Sequence, residues 1–429
     1  MPTARIESLD REGRGVAHVD GKTVFIDGAA PGELVEYSPY RKKPGWEAAQ
    51  IVELRTQSAS RVLPRCPYFG TCGGCSMQHL DLPTQVAAKQ RVLEDALWHI
   101  GRVRPEAMLR PIHGLPWGYR YRARMSARFV LKKNGELVGF HERKSSYVAD
   151  MRSCEVLPPR VSALIQPLRD LIGALSIRER LPQVEVAVGE GLIVLVMRVL
   201  DPPDEDDARQ LRKFAEENGV QLWLQPSGPD SATPFWPLDA PPLHYSLPEH
   251  GVRVAFSPTD FTQVNHAVNQ LLVRSALSLL DPRPGERITD FFCGLGNFTL
   301  PIARRGANVL GVEGNAGLVA RAQANAVMNG LADRCRFTTA NLFEADACAA
   351  LPASDKALLD PPREGAVELV KSFAVRAPGR IVYVSCDPAT LARDAGVLVQ
   401  TQGYRLVAAG IINMFPHTSH VESMALFER

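Results

Sequence analysis

The chain has 429 residues, of which 45% are hydrophobic and 22% charged, and its formal net charge is +2. This length exceeds what one hydrophobic core usually supports, so we expect two or three globular domains. The sequence has no run of about eighteen apolar residues and no apolar segment of a secretory signal near its start, which excludes a membrane span and predicts a cytoplasmic protein. In that compartment the eight cysteines are expected to be thiols, metal ligands or catalytic groups.

Residues 1–57 carry short alternating apolar runs separated by turn sequences such as DGAAPG and RKKPG. This pattern predicts a small all-β barrel. The basic loop residues Arg41, Lys42 and Lys43 favour contact with RNA, because small barrels of this kind often bind oligonucleotides. A barrel with a purely structural role is the alternative.

Residues 58–255 read as a mixed α and β region. LPTQVAAKQRVLEDALWHI predicts a helix, and GYRYRARMSARFVL predicts a strand with Arg120, Arg122 and Arg124 on one face. Residues 58–160 hold 17 Lys or Arg against 8 Asp or Glu, which indicates either a phosphate-facing surface or a solvated strand face. The proline-rich residues 225–247 predict a long loop.

Four early cysteines form a candidate metal site. Cys66, Cys72 and Cys75 make a C-x5-C-x2-C cluster in a glycine-rich turn, and Cys154 is the one other cysteine before the C-terminal region. Four thiolates can hold zinc or a [4Fe–4S] cluster. The spacing departs from the paired C-x2-C units of structural zinc, which favours the iron–sulfur cluster.

Residues 256–429 alternate strands and helices, which predicts a doubly wound α/β sheet with its ligand at the carboxyl ends of the strands. A strand, a turn with Gly294 and Gly296, and a helix are followed by Glu313 at the end of the next strand, where a carboxylate can bind ribose hydroxyls. NAD enzymes and methyltransferases share this arrangement. Thr299 stands where a dinucleotide site has its third glycine, and Asn297 crowds a pyrophosphate, which favours S-adenosylmethionine.

Two further residues suit covalent chemistry. RIVYVSC ends at Cys386, and the following Asp387 is the predicted N-cap of a helix whose N-terminal dipole favours the thiolate. Glu422 shares a strand face with Met424 and Leu426, so burial is expected to raise its pKa as suits a general base. A charged residue on an edge strand is the alternative for Glu422.

Three neighbouring features complete the candidate site. Asp360 ends a strand before two prolines, and Arg363 follows them where methyltransferases acting on exocyclic amines commonly have an aromatic residue. The sequence therefore indicates a different target atom. His417 and His420, just before Glu422, either orient other groups or cap their loop.

The motifs together resemble those of the RNA uracil-5 methyltransferases, over nearly the whole chain. REGRGVAHVDGKTVFIDGAAPGE is similar to the TRAM domain, and CPYFGTCGGCSMQHL with Cys154 is similar to the [4Fe–4S] site. The motifs DFFCGLGNFTL, DPPREG, VSCDPATLARD and HTSHVESM resemble those of the catalytic domain. TRAM combined with the cluster is most similar to the branch that methylates 23S ribosomal RNA.

The resemblance implies a TRAM domain over 1–57, a central iron–sulfur domain over 58–255 and an S-adenosylmethionine-dependent methyltransferase domain over 256–429, with residues 84–112 against the catalytic domain. It implies that Cys386 adds to carbon 6 of a flipped uracil, that Glu422 removes the proton of carbon 5, and that Arg363 fixes the base. It further implies that the cofactor and uracil pocket is lined by Gln263, Phe292, Asn297, Glu313, Asn341 and Asp360.

The resemblance also implies 23S ribosomal RNA as the partner, and we expect a monomer with no membrane association. A tRNA uracil-5 methyltransferase shares the catalytic motifs and is one alternative. A non-catalytic iron–sulfur RNA-binding factor and an NAD-dependent reductase are the others.

Overall fold

The computed structural model describes residues 1–131, 135–375 and 377–429, so Lys132 and Lys133 of the basic stretch lie outside the described residues. The N-terminal strands are β1 (Thr3–Arg5), β2 (Ser8–Leu9), β3 (Gly15–Val19), β4 (Lys22–Asp27), β5 (Leu34–Lys42) and β6 (Trp46–Thr56). They form one sheet in the order β1-β5-β6-β4-β3-β2. Alternate side chains of these strands, among them Ala4, Ala17 and Val24, share one small core, so the sheet wraps around it.

The helix expected after the cysteine cluster is α1 (Leu82–Ala96), continued by a π turn over Leu97–Gly101. Asp81 caps it by accepting a hydrogen bond from the Thr84 amide at 2.8 Å. Leu93 and Leu97 are buried in one core with side chains of the C-terminal region, and strand β7 (Ala107–Met108) joins the edge of the C-terminal sheet. This segment therefore packs directly on the C-terminal region.

The central region is a second sheet covered by helices. Its elements are β8 (Arg122–Val130), β9 (Gly135–Gly139), α2 (Pro159–Ala163), α3 (Ile165–Ala174), β10 (Gln183–Val188), β11 (Ile193–Arg198), α4 (Glu205–Asn218), β12 (Gln221–Gln225) and β13 (Thr233–Trp236). The strand order is β13-β12-β11-β10-β8-β9.

The predicted strand face is confirmed for Arg122 and Arg124 but not for Arg120. Arg120 precedes strand β8, and the guanidinium groups of Arg122 and Arg124 approach Glu185 of the neighbouring strand β10 at 3.8 and 2.8 Å. The two-residue period identified the face, but the partner carboxylate comes from a strand about sixty residues away in sequence. A carboxylate between these two groups makes this face less suited to phosphate than expected.

The C-terminal region follows. Its elements are β14 (Leu243–Leu247), β15 (Val252–Phe256), α5 (His266–Leu280), β16 (Arg287–Phe291), α6 (Thr299–Arg304), β17 (Asn308–Glu313), α7 (Ala316–Met328), β18 (Cys335–Thr339), α8 (Ala345–Ala350), β19 (Lys356–Leu359), α9 (Val367–Ser372), β20 (Arg380–Ser385), α10 (Pro388–Gln400), β21 (Arg405–Ile412) and β22 (Glu422–Glu428). The long loop expected over 225–247 is therefore wrong in part, since β13 and β14 lie within it. The alternation of Leu243, Tyr245 and Leu247, all buried, outweighs the density of prolines.

The large sheet has the order β18-β17-β16-β19-β20-β22-β21-β7, and β16 to β20 are parallel, which confirms the predicted α/β fold. The chain builds outward from β16 to β18 on one side and from β19 on the other, so the strand order reverses between β16 and β19. Ligands of open α/β sheets bind at the carboxyl ends of the strands at such a point.

The hairpin β14–β15 packs into the core beneath this sheet, with helix α5, although the predicted boundary at 256 assigns it to the central region. Within the described ranges, no helix is both long enough and apolar enough to cross a membrane.

Candidate active site

A cavity of about 510 Å³ opens at the point where the strand order reverses. The residues predicted for catalysis and for cofactor binding all line it: Gln263, Phe292, Asn297, Glu313, Asn341, Asp360, Cys386 and Glu422. Arg363 lines the same cavity and is exposed, with no hydrogen bond or ion pair to another described residue. The structure thus brings together residues spread over 160 positions of sequence, from 263 to 422.

The glycine turn after β16 presents backbone to the cavity. Gly294 and Gly296 have φ angles of 54° and 92°, in the left-handed region that favours glycine. The Glu313 carboxylate accepts a hydrogen bond from the Gly294 amide at 3.1 Å, which ties the ends of β16 and β17 together. Thr299 donates to the buried Asp290 at 2.5 Å, so a hydroxyl stands where a dinucleotide site has a glycine.

Two predicted pocket residues already use their side chains within the protein. The Asn297 amide group exchanges hydrogen bonds with Asn269 at 2.9 and 3.0 Å and accepts one from the Tyr245 hydroxyl. The Asn341 side chain bonds Glu344 and the Phe343 amide. These two side chains shape the cavity wall, whereas Gln263 forms no hydrogen bond with any described residue and is free to bind a ligand.

Two buried carboxyl groups of the cavity have raised pKa values. Burial, with the neighbouring Asp360, raises the pKa of Glu422 to about 8, and burial raises the pKa of Asp360 to about 7. The expected raised pKa of Glu422 is confirmed. Glu422 makes no side-chain hydrogen bond with the described residues, so its carboxyl is available to a ligand.

The local structure around Cys386 is as predicted, but its ionisation is not. Asp387 caps helix α10 by accepting a hydrogen bond from the Ala389 amide at 2.8 Å. Burial, together with the charges of Glu422 and Asp360, raises the pKa of the Cys386 thiol to about 12 against the lowering effect of Arg363. Burial and the two carboxyl groups therefore raise the pKa of Cys386 by more than the helix N-terminus lowers it.

The loop after β19 is fixed by helix α10. The buried Asp394 accepts hydrogen bonds from the Ala366 amide and the Tyr383 hydroxyl, both at 2.7 Å, and Arg393 donates to the Glu364 carbonyl at 2.8 Å. Because Tyr383 lies on the strand that ends at Cys386, Asp394 holds the loop and the thiol strand in one arrangement.

Helix α1 contributes buried polar groups that the sequence interpretation missed. The Lys89 ammonium donates to the Asn413 side chain at 2.7 Å and to the Phe415 carbonyl at 2.8 Å, and burial lowers the pKa of Lys89 to about 7. Gln85, one helical turn earlier, is also fully buried. These buried positions could have been predicted from the sequence. The i, i+4 spacing of Gln85, Lys89 and Leu93 puts two polar residues on the apolar face of the helix.

The four early cysteines line a second cavity, of about 220 Å³, with Arg120, Thr418 and His420 in its wall. Burial raises the pKa of Cys75 to about 12 and that of Cys154 to about 11. Across the described part of the chain, no group of three or more His, Cys, Asp or Glu side chains is arranged to hold a single metal ion.

The two histidines before Glu422 have different surroundings. The His417 ring stacks on Trp117 with ring centres 3.8 Å apart, and its backbone and ring contact Gln85. His420 faces the cysteine cavity instead.

Two family profiles match the chain. The TRAM domain matches residues 3–36, and the family described as tRNA (Uracil-5-)-methyltransferase matches residues 243–345 and 352–429.

Curated relatives are similar over the full length. A protein of Aromatoleum aromaticum is 62% identical over 432 residues that cover 100% of both chains, and one of Nitrosospira multiformis is 61% identical over 99% of this chain and 98% of its own. Both are described as 23S rRNA (uracil(1939)-C(5))-methyltransferase RlmD. A solved structure of Pyrococcus abyssi tRNA (uracil-54, C5)-methyltransferase in complex with S-adenosyl-L-homocysteine superimposes with a TM-score of 0.77, at 25% identity, covering 99% of this chain and 100% of that one.

Proposed function

Because the chain belongs to the RNA uracil-5 methyltransferase family, we propose that it methylates carbon 5 of one uracil in 23S ribosomal RNA with S-adenosylmethionine as methyl donor. The observation that carries the chemistry is that Cys386 and Glu422 line one cavity together with the residues suited to the cofactor. The choice of RNA rests on relatives about 60% identical over their whole length that are described as acting on uracil 1939 of 23S rRNA.

The cavity fits S-adenosylmethionine. Its volume of about 510 Å³ lies in the range of small-molecule sites, the glycine turn keeps side chains away from the ligand, and Glu313 stands where a ribose would bind. Gln263 and Asp360 offer polar groups without another hydrogen-bond partner among the described side chains. S-adenosylmethionine, when bound, supplies an electrophilic methyl group.

Carbon 5 of uracil is a weak nucleophile, and covalent addition of Cys386 to the ring activates it. The Cys386 sulfur, as the thiolate, forms a bond to carbon 6, the electron pair of the 5,6 double bond becomes a 4,5 double bond, and the carbonyl pair of carbon 4 moves to its oxygen. The enolate formed in this way is nucleophilic at carbon 5, where the methyl group is added. Arg363 lies free at the cavity and favours the anionic forms of both Cys386 and Glu422.

Glu422 completes the cycle. After methyl transfer, its carboxylate takes the proton from carbon 5, the 5,6 double bond forms again, and the bond from carbon 6 to sulfur breaks to release the Cys386 thiolate. The proton then leaves Glu422 for solvent. A buried base with a pKa of about 8 suits this transfer, because its proton affinity is higher than that of an exposed carboxylate.

We further propose that Cys66, Cys72, Cys75 and Cys154 hold a [4Fe–4S] cluster. All four thiols line one small cavity, yet the described side chains offer no set of three ligands for a single ion. The C-x5-C-x2-C spacing of the first three cysteines departs from the paired C-x2-C units of structural zinc, and this spacing favours a cluster over zinc.

The deciding experiment uses RNA that carries 5-fluorouridine at the target, together with S-adenosylmethionine. Fluorine at carbon 5 cannot be removed as a proton, so the covalent adduct should persist as an RNA–protein band on a denaturing gel. The band should form with the unmodified protein and disappear in Cys386→Ala. If the band persists in this variant, Cys386 is not the nucleophile.

A tRNA uracil-5 methyltransferase is the second candidate, because the Pyrococcus abyssi tRNA enzyme shares the fold over nearly the whole chain. Mass spectrometry of RNA from cells lacking the gene separates the two. Loss of 5-methyluridine from 23S RNA supports the proposal, whereas its loss from tRNA alone supports the second candidate.

A further inference from the structure

We propose that Gln85 is a positioning residue that ties the cysteine loop (residues 66–77) to the base loop (residues 413–421) and thereby holds Glu422 for proton removal. This inference rests on the proposed function, in which Glu422 is the base. Gln85 does not line the active-site cavity, so we expect it to act through the base loop.

The fully buried side chain of Gln85 bridges the two loops. Its amide nitrogen donates to the carbonyl groups of Met77 at 3.1 Å and Leu80 at 2.9 Å, and it lies 3.2 Å from Nδ1 of His417. Its amide oxygen accepts a hydrogen bond from the His417 backbone N–H at 2.8 Å. One side chain therefore satisfies buried backbone groups on both loops.

His417 also binds the cysteine loop directly, through its backbone carbonyl group. Its carbonyl oxygen accepts hydrogen bonds from the backbone N–H groups of Ser76 and Met77, both at 2.9 Å, and Ser76 directly follows Cys75. The φ angle of His417 is 66°, a left-handed conformation that a non-glycine residue adopts only when its surroundings hold it there. The His417 ring is further held by stacking on the Trp117 ring.

Other anchors of the base loop come from residues 89–119, and one comes from the Asn265 side chain, which donates to the Met414 carbonyl at 3.3 Å. Lys89 holds the side chain of Asn413 and the carbonyl of Phe415, and the Tyr119 hydroxyl donates to the Pro416 carbonyl at 2.9 Å. Residues 76–119 thus supply anchors along the base loop from 413 to 417.

The position of Glu422 depends on this loop. Its backbone pairs with Ile412 where β21 and β22 begin to diverge, and its carboxyl has no hydrogen bond to any described group that would fix it. Cys386, in contrast, lies between β20 and α10 and is held by the Asp387 cap. Loosening the base loop should therefore disturb proton removal by Glu422 and leave addition by Cys386 intact.

The test compares Gln85→Met with Gln90→Met. Both changes remove an amide from helix α1, but Gln90 donates only to Glu94 of the same helix. In Gln85→Met we expect turnover to fall about tenfold to a hundredfold, as a small misplacement of a reacting group costs. The covalent adduct should accumulate on ordinary uridine RNA, while the rate of adduct formation with 5-fluorouridine RNA stays unchanged.

Hydrogen exchange gives a readout independent of activity. The amides of residues 413–421 should exchange faster in Gln85→Met than in Gln90→Met, with the protection of β20 and α10 unchanged. Gln85→Glu keeps the acceptor for the His417 amide and should restore part of the turnover and of this protection. It also serves as the second variant if Gln85→Met does not fold.

The inference is overturned if turnover in both Gln85 variants matches the unmodified protein, or if turnover and 5-fluorouridine adduct formation fall together. Failure of the proposed function looks different, because the unmodified protein itself would then form no adduct.

Discussion

Glu422 and Cys386 line the same cavity, and the charge of the Glu422 carboxylate helps to raise the pKa of the Cys386 thiol to about 12. The two groups are therefore coupled: each is harder to ionise when the other is charged. Their proposed roles as nucleophile and base require both to be anionic during the cycle, and the exposed Arg363 offsets part of that cost.

This coupling predicts that Glu422→Gln makes Cys386 more reactive in alkaline solution. Near pH 7, Glu422 with a pKa of about 8 is mostly protonated and repels the thiolate little, whereas at pH 9 its charge opposes ionisation. Alkylation of Cys386 by iodoacetamide, followed by peptide mass spectrometry, should be several-fold faster in the variant at pH 9. The buried Cys335 provides the internal control, and equal rates for Cys386 in both proteins would contradict the coupling.

The pKa of Glu422 also predicts how stability changes with pH. A carboxyl group with a pKa near 4.5 in the unfolded chain and about 8 in the folded chain binds more protons when folded, so its contribution to stability is lost as pH rises between these values. In Glu422→Gln this loss is absent. The variant should gain on the order of 1–4 kcal/mol in the free energy of unfolding relative to the unmodified protein between pH 5 and about 9.

Denaturant titrations at several pH values measure this difference. Asp290 and Asp360 also have pKa values raised to about 7, so the absolute stability of both proteins should fall with pH. Only the difference between the two proteins reports on Glu422, and a difference independent of pH would show that its pKa is not raised.

Substitution of Gly365 can test whether the conformation of the loop that carries Asp360 and Arg363 matters for stability and cofactor binding. The φ angle of Gly365 is 76°, and an added Cβ would lie 2.6 Å from the Arg393 guanidinium and 2.8 Å from the Asp394 carboxylate. Gly365→Ala should therefore cost about 1–3 kcal/mol of stability and weaken binding of S-adenosylmethionine. Gly379→Ala is the matched control, since its Cβ would meet nothing closer than 3.7 Å. Calorimetric binding and denaturant unfolding decide, and equal losses in both variants would contradict the role of this loop.

Local sequence was sufficient for features set by a few neighbouring residues. The strand, turn and helix around Gly294, the position of Glu313 and the Asp387 cap all follow from spacing and capping rules, and the structure has them as predicted. These features depend on contacts within about twenty residues.

Long-range partners could not be predicted. Gln85 contacts His417 from 332 positions away, and Glu185 meets Arg124 from 61 positions away, so no local pattern reveals either pair. The prediction that Cys386 readily forms a thiolate is wrong for the same reason. The pKa of this thiol is set by burial and by the carboxyl groups of Asp360, which follows β19, and Glu422, which begins β22, whereas the prediction considered only the helix that follows Cys386.

The cysteine cavity gives the last prediction. If the four thiols hold a [4Fe–4S] cluster, anaerobically purified protein should contain about four iron and four sulfide per chain and be brown. Cys75→Ser should lose most of this iron, because Cys75 lines the cavity with the other three thiols, while Cys335→Ser should keep it, since Cys335 lies in the separate core beneath the C-terminal sheet. Stoichiometric zinc without sulfide would contradict the cluster. Ser76 and Met77 follow Cys75, and their backbone N–H groups donate to the His417 carbonyl. Loss of the cluster should therefore also speed hydrogen exchange in residues 413–421. This measurement needs no RNA and tests whether the cysteine cavity is coupled to the base loop.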